Sequence, residues 1–209
     1  ASRVLTVFFV YLIVGKLATK QAAIISSAIA AISPLWVNSL GIPSNPYFIP
    51  PITLLVILLL LLKKKAPVTY IVIGFAVGLN LQLHYLSIVL IPSVISYIFL
   101  SKVASKLTNV LFFFLGIIVA LIPVFLFEAR NEFFLTNQFL ILLSTGSFTP
   151  RSIAVLAIPG SLILLFLAFS KLPKEGREFW FFCLATIVVN TVAFVLYPGG
   201  RQLHYLANS

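Results

Sequence analysis

Long runs of apolar residues, separated by short clusters of basic residues, form the dominant pattern along the chain. A helix that crosses a membrane needs about 20 largely apolar residues. The uncharged interval from Lys20 to Lys63 has room for an outward and a return pass, and the interval from Lys65 to Lys102 has room for two more. The pattern predicts eight membrane-spanning segments, at residues 4–18, 21–40, 47–62, 67–83, 85–101, 107–127, 152–170 and 179–197.

Residues 133–150 are all uncharged, but they do not fit a ninth crossing. Thr, Asn, Gln and Ser residues interrupt the segment, and its continuous apolar core, Phe139–Leu143, is too short to span a membrane. A crossing here would also move Lys171 and Lys174 away from the side that holds the other lysines. We therefore predict an external loop with one helix that lies in the membrane interface.

The basic residues predict the orientation of the segments, because Lys and Arg in membrane proteins concentrate in cytoplasmic loops. When the loop at Lys63–Lys65 is placed in the cytoplasm, every lysine of the chain falls on the cytoplasmic side. Both histidines then fall at the outer face, where we predict a functional site. The arginines that fall on the outer side are Arg3, Arg130, Arg151 and Arg201.

The composition excludes a soluble globular protein. Of the 209 residues, 61% are hydrophobic and 9% are charged, and the mean hydropathy is +1.17, whereas soluble domains have about 25% charged residues. The net charge of +10 does not indicate a nucleic-acid partner, because the basic residues separate long apolar runs. We predict an all-α, polytopic integral membrane bundle, in which residues 1–209 form a single transmembrane domain surrounded by membrane lipids.

Residue types that are absent or rare narrow the chemistry further. The chain contains no Met, so we expect it to be a fragment or a processed piece of a longer protein. It also contains no Asp, which limits the chemistry that its own side chains can perform. Cys183 is the single cysteine, so neither an internal disulfide nor a thiolate metal cluster can form within the chain.

The pentapeptide Gln-Leu-His-Tyr-Leu occurs twice, at residues 82–86 and 202–206, and each copy lies at the external end of a predicted helix. A histidine in this place can donate a hydrogen bond to a phosphate, ligate a metal, or act as an acid or base. Alternatively, His84 and His204 anchor the helix ends at the level of the lipid head groups. Polar side chains at membrane depth are costly, which favours a functional role for His84.

A second polar group, Glu128 and Arg130, follows the predicted segment 107–127 at the outer face. The guanidinium fork of an arginine suits bidentate phosphate binding, and the neighbouring Glu128 could position it. A solvated helix end explains the same two residues, since exposed charge pairs contribute little to stability. Both interpretations stay open at this point.

Gly74 and Gly78 form a small-xxx-small pair, which is typical of close helix packing. They open a run, Gly74–Tyr85, that resembles the G…G…Q-x-H-Y helix of bacterial protein O-mannosyltransferase-like membrane glycosyltransferases, in the glycosyltransferase C superfamily. Residues 127–133, FEARNEF, are similar to the FE-x-R-x-x-F segment of that family. Ser33-Pro34 with the following Asn45-Pro46 resembles its external loop. The resemblance extends from residue 4 to residue 206.

The resemblance implies an inverting transfer of mannose, or of a similar hexose or pentose, at the extracytoplasmic face of a prokaryotic plasma membrane. The donor is expected to be a polyprenyl-phosphate sugar, and the acceptor a hydroxyl of a protein, glycan or lipid. Family members use a carboxylate in the first external loop, usually an Asp, as the general base. That loop would precede Ala1, so we expect the catalytic base to lie outside this chain and the chain alone to be inactive.

The resemblance also implies where the donor and substrate bind. His84 and Tyr85 are expected to line the region of the donor phosphate, where His84 is also a candidate ligand for a divalent metal. Arg130 with Glu128 is expected at the outer rim. The full set of residues predicted to bind the donor phosphate or substrate is Gln82, His84, Tyr85, Glu128, Arg130, Arg201, His204 and Tyr205.

Two other classes of protein compete with an enzyme. A multi-pass transporter or lipid flippase would be expected to have inverted repeats and ionisable residues or broken helices near the membrane midplane. In this chain the centres of the predicted helices hold almost no ionisable residues, and the polar residues gather at one face, which favours an enzyme at the membrane boundary. A non-catalytic membrane scaffold leaves the two Gln-Leu-His-Tyr-Leu copies unexplained.

Overall fold

The computed structural model describes residues 2–32, 45–62 and 66–145, and within these ranges every regular element is helical. The predicted all-α class is therefore confirmed for this part of the chain. The α-helices are α1 (Ser2–Leu17), α2 (Lys20–Ile32), α3 (Ile49–Leu60), α4 (Pro67–Leu83), α5 (Leu90–Leu100), α6 (Lys106–Arg130) and α7 (Phe134–Thr145). Short 3₁₀ helices, Asn45–Phe48 and Tyr85–Val89, precede α3 and α5.

Several predicted segments correspond to helices of the structure. The segment predicted at residues 67–83 coincides with α4, which has Pro67 in its first turn, where the missing N–H of proline has no cost. The helix predicted within residues 133–150 is α7, whose location in a membrane interface stays a prediction. The predicted segments 152–170 and 179–197 lie outside the described residues.

The segment predicted at residues 85–101 differs from the structure, since only Leu90–Leu100 is α-helical. Pro92 explains the late start of α5. Its nitrogen carries no hydrogen to donate to the carbonyl oxygen of Ile88, and this loss costs least when proline stands in the first turn of a helix. The preceding residues form the 3₁₀ helix instead.

Helix length bears directly on the predicted crossings. Among the described residues, α6 alone, with 25 residues, is long and apolar enough to cross a membrane by itself. Four further apolar helices are shorter, with 10–17 residues; α3, for example, has 12 residues and rises about 18 Å. The topology of eight crossings, with its orientation, stays a prediction.

The described residues divide into two compact units. Those up to residue 87, together with residues 107–121, belong to the first, and residues 88–106 and 122–145 belong to the second. In the first unit, α1 contacts α2 and α3, and α3 contacts α4. The side chains with no solvent exposure in this unit include those of Val56, Leu60, Tyr70, Ile73, Val77 and Phe113.

Helices α4 and α6 approach each other through small residues within the first unit. A Cβ atom added to Gly74 would overlap the carbonyl oxygen of Phe113, and one added to Gly116 would overlap that of Ile71. A Cβ atom on Gly78 would lie 2.6 Å from the Cβ atom of Ala120. The packing role predicted for Gly74 and Gly78 is thus confirmed, and α6 contributes a matching small pair to the contact.

Candidate functional site

The candidate site in the first unit is the end of α4. Helix α4 stops at Leu83, and His84 has an extended backbone, with φ −162° and ψ 121°. The backbone nitrogen of His84 still donates to the carbonyl oxygen of Asn80 over 2.9 Å, and its carbonyl oxygen accepts from the nitrogen of Ser87 over 2.9 Å. His84 is therefore fixed by backbone hydrogen bonds on both sides of the helix end.

The His84 side chain is half-buried. Removal of water from the ring disfavours the charged imidazolium, so burial lowers the pKa of His84 below its ordinary value. Burial thus favours the neutral form of the imidazole in the free protein. A neutral ring offers one N–H donor and one nitrogen acceptor, which suits a hydrogen bond to phosphate or a metal ligand.

The amide side chains of Asn80 and Gln82 contact neighbouring helices. Asn80 is fully buried, and its Nδ2 atom donates to Thr53 Oγ1 on α3 over 3.0 Å. The Nε2 atom of Gln82 donates to the carbonyl oxygen of Ala120 on α6 over 2.6 Å. The structure thus places Gln82 in helix packing, and the substrate-binding role predicted for it has no direct support from this contact.

The candidate site in the second unit is the junction of α6 and α7, where Glu128 is 6% exposed. Its Oε1 atom accepts from the backbone nitrogen of Leu135 over 2.9 Å. Its Oε2 atom accepts from the backbone nitrogen of Thr136 over 2.9 Å and from the Thr136 hydroxyl over 2.5 Å. The first amides of a helix lack partners within the helix, so Glu128 caps the N-terminus of α7.

The chain turns sharply between α6 and α7. Glu132 and Phe133 both adopt the left-handed conformation, with φ of 51° and 57°, and the nitrogen of Phe133 donates to the carbonyl oxygen of Glu128 over 2.9 Å. Arg130 is exposed in the last turn of α6. The Glu128 carboxylate accepts its hydrogen bonds from α7. These contacts therefore do not support the predicted positioning of Arg130 by Glu128.

The remaining predicted residues are described in part or not at all. The backbone of Tyr85 lies in the 3₁₀ helix after His84; Arg201, His204 and Tyr205 lie outside the described residues. In the part of the chain that the structure describes, no three His, Cys, Asp or Glu residues are grouped so that they could hold a metal ion. The metal predicted at His84 therefore stays a prediction.

Two hydrogen-bonded contacts near the candidate sites do not follow from the sequence pattern. The Asn80–Thr53 bond joins residues that are 27 positions apart, and the capping of α7 by Glu128 joins residues seven and eight positions apart across a turn. Neither spacing belongs to a local motif such as a capping box, which would bring partners three residues apart. The sequence signal for such a contact is Asn80 itself, a polar residue within the apolar sequence of α4.

Within residues 2–32, 45–62 and 66–145 every regular element is helical, and one helix is long and apolar enough to cross a membrane. Together with the strongly apolar composition, these features are typical of helical membrane proteins. A family model described as dolichyl-phosphate-mannose-protein mannosyltransferase matches residues 1–127. The chain belongs to this family, whose members are integral membrane glycosyltransferases. The family inferred from the resemblance is thus confirmed, whereas the extent of the resemblance beyond residue 127, which includes nearly all of the FEARNEF segment, stays a prediction. No curated protein and no solved structure gave a significant match.

Proposed function

We propose that the protein transfers mannose, or a similar sugar, from a polyprenyl-phosphate carrier to an acceptor hydroxyl at the extracytoplasmic face of a plasma membrane. The observation that carries this proposal is the family match, which extends over α1–α5 and most of α6. It favours sugar transfer over the transporter or lipid flippase that the sequence left open. The family description indicates a protein hydroxyl as acceptor, with glycan and lipid hydroxyls as alternatives.

The chemistry of such a transfer sets the requirements for the site. With inversion, the acceptor oxygen attacks the anomeric carbon, its proton passes to a base, and the carrier phosphate leaves with the electron pair of the broken bond. A polyprenyl chain stays in the bilayer, so the reacting carbon lies at the membrane boundary. The end of α4, where an apolar helix gives way to His84, suits this position.

We assign His84 to the carrier phosphate. As a neutral imidazole it donates one hydrogen bond to a phosphate oxygen, and the negative charge of the phosphate then favours protonation of the ring. Arg130 belongs to the second unit and is not part of this assignment, although its exposed guanidinium fork suits phosphate binding. Glu128 is not assigned to the base, because both of its carboxylate oxygens already accept hydrogen bonds from α7.

This assignment predicts a pH dependence of donor binding. Burial lowers the pKa of His84 in the free protein, and the bound phosphate raises it, so binding of the donor takes up a proton. We expect the affinity for polyprenyl-phosphate mannose to rise about threefold to tenfold between about pH 8 and about pH 6, since a charged donor strengthens a hydrogen bond by about 1 kcal/mol. Equilibrium binding to the purified protein in lipid nanodiscs measures this change.

The matched control is His84→Gln, which keeps a hydrogen-bond donor but cannot titrate. Its affinity should not change across the same pH range, and the donor, a phosphodiester, does not titrate there either. An equal rise in the donor affinity of His84→Gln would mean that another group, such as His204, takes up the proton. No binding of the donor to the unsubstituted protein at any pH would contradict the proposed function itself.

A further inference from the structure

Two amide side chains near the end of α4 bind two different helices. Asn80 donates to Thr53 on α3, and Gln82 donates to the backbone of Ala120 on α6. Residues two positions apart point about 200° apart around an α-helix, so the two bonds hold the last turn of α4 from opposite sides. All of these residues belong to the first compact unit.

The last turn of α4 also determines where His84 lies. The carbonyl oxygen of Asn80 accepts from the backbone nitrogen of His84 over 2.9 Å, while its side chain binds α3. A rotation or shift of this turn that breaks the Asn80–Thr53 bond therefore also moves His84. Ala120 lies beside Gly78 as well, so Gln82 is anchored next to a close contact between α4 and α6.

Stability alone does not account for Asn80. The residue is fully buried, and within the described part of the chain its Oδ1 atom has no hydrogen-bond partner. An unpaired buried acceptor is costly, and a well-packed apolar pair would hold α3 and α4 together without that cost. What a buried asparagine adds is a fixed register between helices.

We propose that Asn80 and Gln82 are positioning residues, which fix the end of α4 against α3 and α6 and thereby place the His84 imidazole. The importance of that placement for donor binding rests on the proposed function. The placement itself is independent of the proposed function, because it follows from contacts in the free protein.

The test compares Thr53→Val with Thr53→Ser in the protein labelled with ¹⁵N-histidine. Valine has nearly the shape of threonine but offers no acceptor to Asn80, whereas serine keeps the hydroxyl. The imidazole signal of His84, identified by its loss in His84→Gln, should shift or broaden in Thr53→Val and stay in place in Thr53→Ser. Gln82→Met, at an exposed position, removes the second anchor and should disturb the same signal if Thr53→Val does not fold.

Ser93→Ala provides the matched control. Ser93 has a fully buried hydroxyl that donates locally, to the carbonyl oxygen of Val89 four residues earlier in the chain, over 2.9 Å. Its loss should leave the His84 signal unchanged. An unchanged signal in both Thr53→Val and Gln82→Met would overturn the positioning role.

Donor binding to the same variants connects the placement with function. We expect Thr53→Val to weaken the binding of polyprenyl-phosphate mannose about tenfold, since small displacements of a binding group cost up to about 100-fold, and Thr53→Ser to bind as the unsubstituted protein does. If the unsubstituted protein binds no donor while the His84 signal responds to Thr53→Val, the proposed function fails and the positioning role stands. Normal binding by Thr53→Val despite a shifted His84 signal would contradict the link between them.

Discussion

Substitution of Gly74 by alanine is expected to destabilise the protein by about 3 kcal/mol. Overpacked contacts cost about 1–3 kcal/mol, and the upper end applies here because the added methyl group meets backbone atoms, which cannot rotate away as a side chain can. The added methyl group would overlap the carbonyl oxygen of Phe113, and its carbon would also lie 3.2 Å from the Cα atom of Gly116. Helices α4 and α6 would have to separate. Thermal unfolding in a fixed detergent measures the loss.

Gly15→Ala is the matched control for this substitution. A Cβ atom on Gly15 would lie 3.8 Å from the Cβ atom of Ala23, an ordinary van der Waals distance. Since alanine favours a helix over glycine by about 1 kcal/mol, Gly15→Ala should be neutral or slightly stabilising. Equal stability of the Gly74→Ala and Gly15→Ala proteins would mean that α4 and α6 do not approach as closely as described.

Substitution of Glu128 by alanine is expected to destabilise the first turn of α7. The carboxylate accepts two backbone amides and one hydroxyl of that helix, and hydrogen bonds to a charged group contribute about 1.5–3 kcal/mol each. Allowing for replacement by water at this helix end, we expect a local loss of about 2 kcal/mol, which corresponds to about 30-fold faster amide hydrogen exchange in α7. Exchange measured by mass spectrometry on peptides covering residues 134–145 tests this.

Glu132→Ala serves as the control, because Glu132 is an exposed acidic residue in the same turn. It adopts a positive φ, which alanine tolerates no better than glutamate, so the comparison separates loss of the cap from changes in the turn. Exchange in α7 should rise far more in Glu128→Ala than in Glu132→Ala. Equal effects of the two substitutions would contradict the capping role of Glu128.

The sequence predicts local helices well where a residue type fixes a helix end. The limits of α4 follow from Pro67 at its start and from the polar residues around His84 at its end, and the prediction matched them. The start of α5 was predicted too early, although Pro92 was visible in the sequence, because hydrophobicity alone does not report the hydrogen bond that proline cannot make.

The contacts between helices could not be predicted in the same way. The small-xxx-small pair of Gly74 and Gly78 indicated a close approach, but not that its partner would be α6. The family resemblance places Glu128 at the outer rim of a binding site, whereas its partner in the structure, Thr136, depends on the turn between two helices. Such pairings are set by tertiary structure, which a single sequence without aligned relatives does not encode in any local pattern.

Assignment of the protein to lipid-linked sugar transfer can be tested directly in membranes. Radiolabelled polyprenyl-phosphate mannose is added to membranes from the native cells and from cells that lack the gene, and label that becomes attached to protein is counted. We expect protein-bound label in the first and not in the second, restored by the natural gene and much reduced when that gene carries His84→Ala. Equal incorporation with and without the gene would contradict the assignment.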